Sequence, residues 1–258
     1  MKLTDFLQNT VNFIYSKIPQ NRPSKDLAQA CRIIAHRGAW NKERLENTIP
    51  AFDKCLQANV WAIEFDIQWT KDNIPIIHHD KNTYRVFKKN IDINNTTFSE
   101  LRKTIPQIPS FQEVIKLYGK KIHLMIELKA FPSALQLQIL KELLKNLTSV
   151  TDYHFMSLDI KCFKHLDGFN AQSFVAIGRS DLKEVHNKSL NIEIGALTGH
   201  YLLFHKKMQS AQHNLGRKTG VGFPNSKNGL YREINNQFSW IFTNHPLLLQ
   251  SELNQLMG

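Results

Sequence analysis

The chain has 258 residues, 33 Lys plus Arg against 22 Asp plus Glu, a formal net charge of +11 and 42% hydrophobic residues. That length and apolar content fit one large globular domain of the barrel or open α/β kind, and exclude two full domains with a linker and a disordered chain. Cys31, Cys55 and Cys162 are odd in number, far apart and without a Cys-x-x-Cys pair, which excludes a disulfide framework and a cysteine zinc site and suggests a reducing compartment.

From the N-terminus, Leu3, Phe6, Leu7, Val11, Ile14 and Ile18 recur at three- and four-residue spacing, which predicts a short amphipathic helix ending before Pro19. Gln8, Asn9, Thr10 and Asn12 interrupt its apolar positions, so it does not read as a secretory signal and the expected location is cytoplasmic. Residues 1–30 form an expected extension to a catalytic domain over 31–258. Its expected role is packing against that domain, ahead of weak attachment to an anionic membrane surface. No apolar run approaches the roughly 18–20 residues that span a bilayer, so no transmembrane segment is expected.

From Cys31 onward, short apolar runs alternate with helical patterns, the signature of βα units and a parallel sheet. Strands are predicted at Arg32 to His36, Trp61 to Gln68, Ile122 to Leu128, Tyr153 to Ser157, Gln172 to Ile177, Asn191 to Ala196, Thr219 to Phe223 and Ser239 to Thr243. A crossover helix is predicted over Ser133 to Leu147. Eight such strands close naturally into a (β/α)8 TIM barrel, which covers every parallel strand and leaves no edge. Residues 73–118 break the rhythm with a short apolar run, Ile74 to Ile77, a polar loop and two short helical patterns, and read as a small insertion after the second strand.

The chemistry concentrates at the predicted strand ends. In Trp61-Ala-Ile-Glu-Phe-Asp-Ile-Gln68, alternation puts Ile63, Phe65 and Ile67 on one face and Glu64, Asp66 and Gln68 on the other. With the apolar face packed on helices, both acids face the lumen. The strand Ile122 to Lys129 repeats the pattern and brings Glu127 and Lys129 to the same rim. Three inward carboxylates need a neutralising partner. They either hold a hard cation, which oxygen ligands suit better than zinc, or pair internally as a buried salt-bridge cluster. His36-Arg37-Gly38 closes the first strand and His78-His79-Asp80 closes the run after the second, with only one of His78 and His79 able to face the site. Strand C-termini are where barrel active sites lie, and histidine is the commonest acid or base near neutral pH.

Taken in order, His36-Arg37-Gly38, Glu46-Asn47-Thr48-x-x-Ala51-Phe52, Glu64-x-Asp66, Thr70-x-Asp72, His79-Asp80, Ile108-Pro109, Glu127-x-Lys129 and Thr243-Asn-x-Pro246 resemble the glycerophosphodiester phosphodiesterase family. The resemblance runs from His36 to Pro246. It implies a metal-dependent barrel that hydrolyses small-molecule glycerophosphodiesters, such as glycerophosphocholine or glycerophosphoethanolamine, to glycerol 3-phosphate and an alcohol. It further implies Glu64, Asp66 and Glu127 as ligands of one divalent cation, Mg²⁺ or Ca²⁺, and His36 and His79 as the acid-base pair in either order. Arg37 and Lys129 become phosphate contacts, and Glu46 a supporting or substrate-contacting residue; its neighbours Asn47-Thr48-x-Pro50 also read as the start of a helix. The rival readings are a lysophospholipase D or sphingomyelinase-D-like activity on lipids and, from another class, a non-catalytic barrel that binds phosphodiesters.

Two positions depart from the family pattern. Gly222-Phe223-Pro224-Asn225 stands where relatives often carry Trp-Thr-x-Asn, so Phe223 and Asn225 are the expected pocket residues there, and Trp240 is bulky for its strand. The stretch from Ile194 to Arg232 contains no Asp or Glu but holds Lys206, Lys207, Arg217, Lys218, Lys227 and Arg232. Its loops, Arg217 and Lys218 included, are expected to draw anionic phosphodiesters, or the anionic surface that releases them, to the barrel mouth. No nucleic-acid partner is expected, since no basic-aromatic module is present.

Overall fold

The computed structural model describes the backbone of residues 3–258 and the side chains from Thr10 onward. Strand β1 (Arg32–His36) pairs with β2 (Ala62–Trp69), which turns back into a short antiparallel β3 (Pro75–Ile77). Strands β4 (His123–Leu128), β5 (Tyr153–Ser157), β6 (Phe174–Gly178), β7 (Ala196–His200), β8 (Lys218–Gly222) and β9 (Trp240–Thr243) continue in parallel. Pairing of β9 with β1 closes an eight-stranded (β/α)8 barrel, with β3 outside the ring.

Before β1 lie α1 (Leu3–Lys17) and α2 (Lys25–Ala30); α3 (Ile49–Gln57) links β1 to β2. Between β3 and β4 come α4 (Tyr84–Phe87), α5 (Phe98–Thr104) and α6 (Phe111–Tyr118), the latter two opened by capping boxes at Thr97/Glu100 and Ser110/Glu113. The remaining helices are α7 (Ala134–Leu144), α8 (Leu182–Ser189), α9 (Lys206–Asn214), α10 (Lys227–Asn235) and α11 (Pro246–Met257). Ser133 and Gln136 close a capping box on α7 at the position the sequence predicts, while the β5 to β6 crossover uses two 3₁₀ turns in place of an α-helix. Of the predicted N-terminal stripe, Leu3, Phe6 and Leu7 lie outside the described side chains. Val11 packs on the core, and Ile14 and Ile18 face solvent.

Strand alternation sorts the side chains as expected. Ile63, Phe65 and Ile67 join the apolar layer between strands and helices, whereas Ala62 and Met125 enter a separate plug inside the barrel with Ile34, Val175, Trp240 and Phe242. Trp240 has its room because its partner in register is Gly220, whose added Cβ would stand 3.0 Å from the Trp240 Cβ. The prediction for β7 fails by register: Asn191 to Ala196 is loop up to Gly195, and apart from the core residue Leu197 the strand is built from small and polar residues. Its Gly199 lies where a Cβ would come within 2.6 Å of Leu182, so close packing of α8 excludes the branched residues that mark a strand in sequence.

The plug ends in an aromatic layer near the N-terminal mouth. Trp61 stacks on His123 at 4.5 Å, His123 Nε2 and His154 Nδ1 are 2.7 Å apart, and His154 meets Trp240 edge-on at 5.0 Å. Burial pushes His123 down to about 4 and His154 to about 3. Because these folded-state values lie below the unfolded value, the unfolded chain takes up protons first as pH falls. Stability is therefore full above about pH 6.5 and is lost below it, by about 1–2 kcal/mol per histidine at pH 5. The urea midpoint should fall between pH 7 and pH 5, and less steeply in His154→Gln; equal slopes would show that this layer does not govern acid stability.

The cationic stretch divides between the two ends of the barrel. Arg217 and Lys218 precede and open β8 and so lie at the N-terminal end, where Arg217 is buried and donates to the carbonyls of Ser189 and Ile192. Their expected place at the mouth is incorrect, because the turn after α9 returns the chain to the base of the sheet. Lys206, Lys207 and Lys227 open α9 and α10 on the C-terminal side.

Candidate active site

His36 is the last residue of β1, in register with Glu64 of β2, and Asp66 is in register with Glu127 of β4. One oxygen from each of Glu64, Asp66 and Glu127 lies within 4.8 Å of the others, and all three side chains are buried. Lys129, one residue past β4, reaches Asp66 Oδ1 at 2.7 Å and also pairs with Glu127. Arg37 Nε lies 3.4 Å from Asp66 Oδ2. The Arg37 backbone N–H donates to Glu64 Oε2 at 2.9 Å from a left-handed conformation, φ 60°. The chain then turns at Gly38, φ 82°, where a Cβ would stand 2.9 Å from the Phe52 ring.

The two cations do not balance the three acids. Glu64 Oε1 is buried without a hydrogen-bond partner among the described residues. Burial, then Asp66 and Glu127, raises the Glu64 carboxyl well above the usual range, and burial with Asp66 raises Glu127. Burial acts to raise Asp66 too, but Lys129 and Arg37 more than offset it and hold that carboxyl low. Crowded, oxygen-only and under-neutralised, the cluster fits a hard divalent cation better than closed internal pairing.

His36 and His79 flank this cluster from different elements. His36 Nδ1 is 2.7 Å from Asn244 Oδ1, and its ring meets Phe223 edge-on at 5.0 Å. Asn225, predicted as a pocket residue, uses its Oδ1 to accept from Thr243 Oγ1 and from the Asn244 N–H, which holds the loop that carries Asn244. His79 Nδ1 is 2.6 Å from Asp80 Oδ1, and its carbonyl accepts from Gln68 Nε2. Its neighbour His78 turns away, buried beside Phe87 with Nε2 3.3 Å from the Asn82 carbonyl. Burial, aided by Arg37, brings His36 down to about 4. Burial also brings His79 to about 4, with Asp66 opposing and Arg37 and Lys129 adding.

A chain of ion pairs joins the two halves of the site. Arg37 Nη1 donates to Glu46 Oε1 at 2.9 Å, Arg85 of α4 grips the same carboxylate at 2.7 and 2.9 Å, and Arg85 Nε reaches Asp80 Oδ2 at 2.5 Å. Sequence reasoning gives no role to Arg85 or to the side chains of Gln68 and Asn244, although Asn244 stands in the Thr243-Asn-x-Pro246 motif. Asn47 it read in part as helix-start chemistry; in the structure Asn47 takes φ 57° and donates to Asp66 Oδ2 at 2.8 Å, and Thr48 is the N-cap residue of α3. Position directly after a strand end is a further signal for Asn244.

The fold and its rim define a (β/α)8 barrel with an acidic cluster at the strand C-termini. The chain matches the model of the glycerophosphoryl diester phosphodiesterase family over residues 36–178, and it belongs to that family. A glycerophosphodiester phosphodiesterase of Caldanaerobacter subterraneus is 33% identical over 110 residues, 38% of this chain and 45% of that protein. Mouse lysophospholipase D GDPD3 is 37% identical over 92 residues, 36% of this chain and 26% of that protein. The alignments thus span less than half of either relative. An Oleispira antarctica phosphodiesterase, solved in complex with the product sn-glycerol-3-phosphate, superimposes with a TM-score of 0.72 at 22% identity, covering 86% of this chain and 96% of that one. At that identity the likeness shows the fold.

Proposed function

We propose that the protein is a phosphoric diester hydrolase that cleaves glycerophosphodiesters to glycerol 3-phosphate and an alcohol. The observation that carries this reading is the buried Glu64 Oε1, without a hydrogen-bond partner among the described residues, in a cluster of three crowded carboxylates set between Arg37 and Lys129. Glu64, Asp66 and Glu127 would hold one Mg²⁺ or Ca²⁺, which supplies positive charge for the phosphoryl oxygens. Arg37 and Lys129 bind and orient the phosphate. Phe223 lines the pocket beside His36, and Glu46 keeps Arg37 in place.

The hydrogen bonds behind the histidines support distinct roles for them. An amide oxygen and a carboxylate only accept, so each Nδ1 carries the proton and each Nε2 is the atom that exchanges one. His36, backed by the neutral Asn244 amide, stays neutral and takes the proton from the attacking water or substrate hydroxyl. His79 is also held at about 4 by burial, but it is backed by the Asp80 carboxylate, which favours imidazolium more than the Asn244 amide does once a phosphodiester anion is bound. It protonates the leaving alkoxide.

The test is product analysis with divalent metal present. Glycerol 3-phosphate release from glycerophosphocholine is the expected result. Choline release from lysophosphatidylcholine without any release from glycerophosphocholine would replace this reading by the lysophospholipase D one. Turnover of neither would leave a barrel that only binds phosphodiesters.

A further inference from the structure

Exposed large apolar side chains are unevenly placed on this barrel. At the N-terminal end Leu117, Val150, Leu190 and Leu215 stand singly at helix ends and turns, which is ordinary for a protein surface. At the C-terminal mouth Trp40 follows β1, Phe131 follows β4, Leu202 and Leu203 follow β7, and Leu247 and Leu248 open α11, each 36–48% exposed. In the ring the β1, β9 and β7 segments share one half, with β9 next to β1, and the β4 segment stands opposite. Apolar tips spread around one rim meet a flat surface together, whereas a bound peptide or small ligand needs them side by side in a groove.

Helix α1 widens that face. Tyr15 packs edge-on against Tyr201 at 5.8 Å, and Asn228 in the first turn of α10 donates to the Ser16 carbonyl at 2.8 Å. The Arg232 guanidinium lies over the Tyr15 and Tyr201 rings at 3.9 and 4.6 Å. So anchored beside the β7 and β8 side of the mouth, α1 leaves Phe13 64% and Ile14 52% exposed. Exposed lysines stand next to these apolar tips: Lys17 over the Phe13 ring, Lys42 two residues after Trp40, and Lys206 and Lys207 after the Leu202–Leu203 turn.

We propose that this mouth is a docking face for an anionic lipid bilayer, which seats the barrel on the surface from which it takes phosphodiesters. The last clause rests on the phosphodiesterase reading; the docking itself does not. Apolar tips that enter the headgroup boundary, flanked by lysines, are what an anionic interface attracts. A second copy is the poorer occupant, since the chain carries a net charge of +11 and would bring like-charged rims together.

Cosedimentation of the full chain with vesicles tests this. Vesicles of phosphatidylglycerol and phosphatidylcholine in equal parts should bind it, and phosphatidylcholine alone roughly tenfold less. Leu202→Ser with Leu203→Ser, and separately Phe13→Ser with Ile14→Ser, should each weaken binding to the mixed vesicles roughly tenfold. Hydrolysis of soluble glycerophosphocholine should be unchanged in both variants, which also certifies their folding. No binding to mixed vesicles, or undiminished binding by both double variants, overturns the proposal. So does a dimer, seen by sedimentation velocity without vesicles, that the same substitutions dissolve. Vesicle binding by a protein that cleaves no glycerophosphodiester would uphold the docking face and overturn the phosphodiesterase reading instead.

Discussion

Glu64→Gln should reduce hydrolysis of glycerophosphocholine by about 10³-fold or more while leaving the metal-free protein at least as stable as the parent. Both halves follow from the same crowding. Glu64 is buried with Asp66 and Glu127, its carboxyl is raised by burial and by those neighbours, and Oε1 has no partner among the described residues. An amide of the same shape relieves that repulsion and keeps one acceptor for the Arg37 N–H, but it removes the negative charge that a divalent cation needs. Melting separates this from a general loss of structure. In the parent, Mg²⁺ or Ca²⁺ should raise the unfolding temperature, since a ligand at 100 times its Kd adds about 2.7 kcal/mol of stability. In Glu64→Gln the rise should disappear, and excess EDTA should abolish both the rise and turnover in the parent. Full activity in EDTA, or an undiminished metal-dependent rise in Glu64→Gln, would remove the metal from these three carboxylates and leave them as an internally paired cluster.

His36→Ala should lower kcat by roughly 10²–10⁴-fold, the usual contribution of a positioned acid or base, with little change in KM. His36 sits at the end of β1 with Nδ1 toward Asn244 and its ring against Phe223. In the proposed roles, its removal takes away proton transfer and leaves Arg37 and Lys129 to hold the phosphate. His79→Ala should cost a similar factor on glycerophosphocholine, but the two variants should part on a diester with a p-nitrophenol leaving group. That alcohol departs as a stable anion and needs no proton, so loss of the acid is rescued and loss of the base is not. Rescue in His79→Ala alone supports the assignment made from Asn244 and Asp80. Rescue in His36→Ala alone would reverse the two roles, and rescue in neither would mean that proton donation is not what the second histidine does.

The barrel and the core of its rim are legible in the residues because they depend on local periodicity. A strand alternates faces every second residue, so Glu64 and Asp66 share a side as soon as Ile63, Phe65 and Ile67 are seen to share the other. The same pattern at Ile122 to Lys129 brings Glu127 and Lys129 to the rim. Capping at Ser133 and the sharp turn at Gly38 are likewise properties of a few consecutive residues. Strand β7 escaped because that local signal was missing: Ala196, Thr198 and Gly199 are small or polar where α8 packs close, and the more apolar-looking stretch before them is loop.

What needed the folded chain is everything set by contacts between distant segments, which leave no period in the sequence. Asn244 and His36 are 208 residues apart, and Arg85 and Glu46 are 39 apart. Only closure of β9 onto β1 and the folding of α4 over the rim bring them together. The same holds for the positive charge. The sequence shows an acid-free basic stretch from Ile194 to Arg232 in the last third of the chain, but whether each of its cations lies at the mouth or at the base depends on which end of its strand it adjoins. Arg217 is spent on carbonyls at the base while Lys206 and Lys207 flank the mouth, a division set by the direction of β8 in the barrel and invisible to composition.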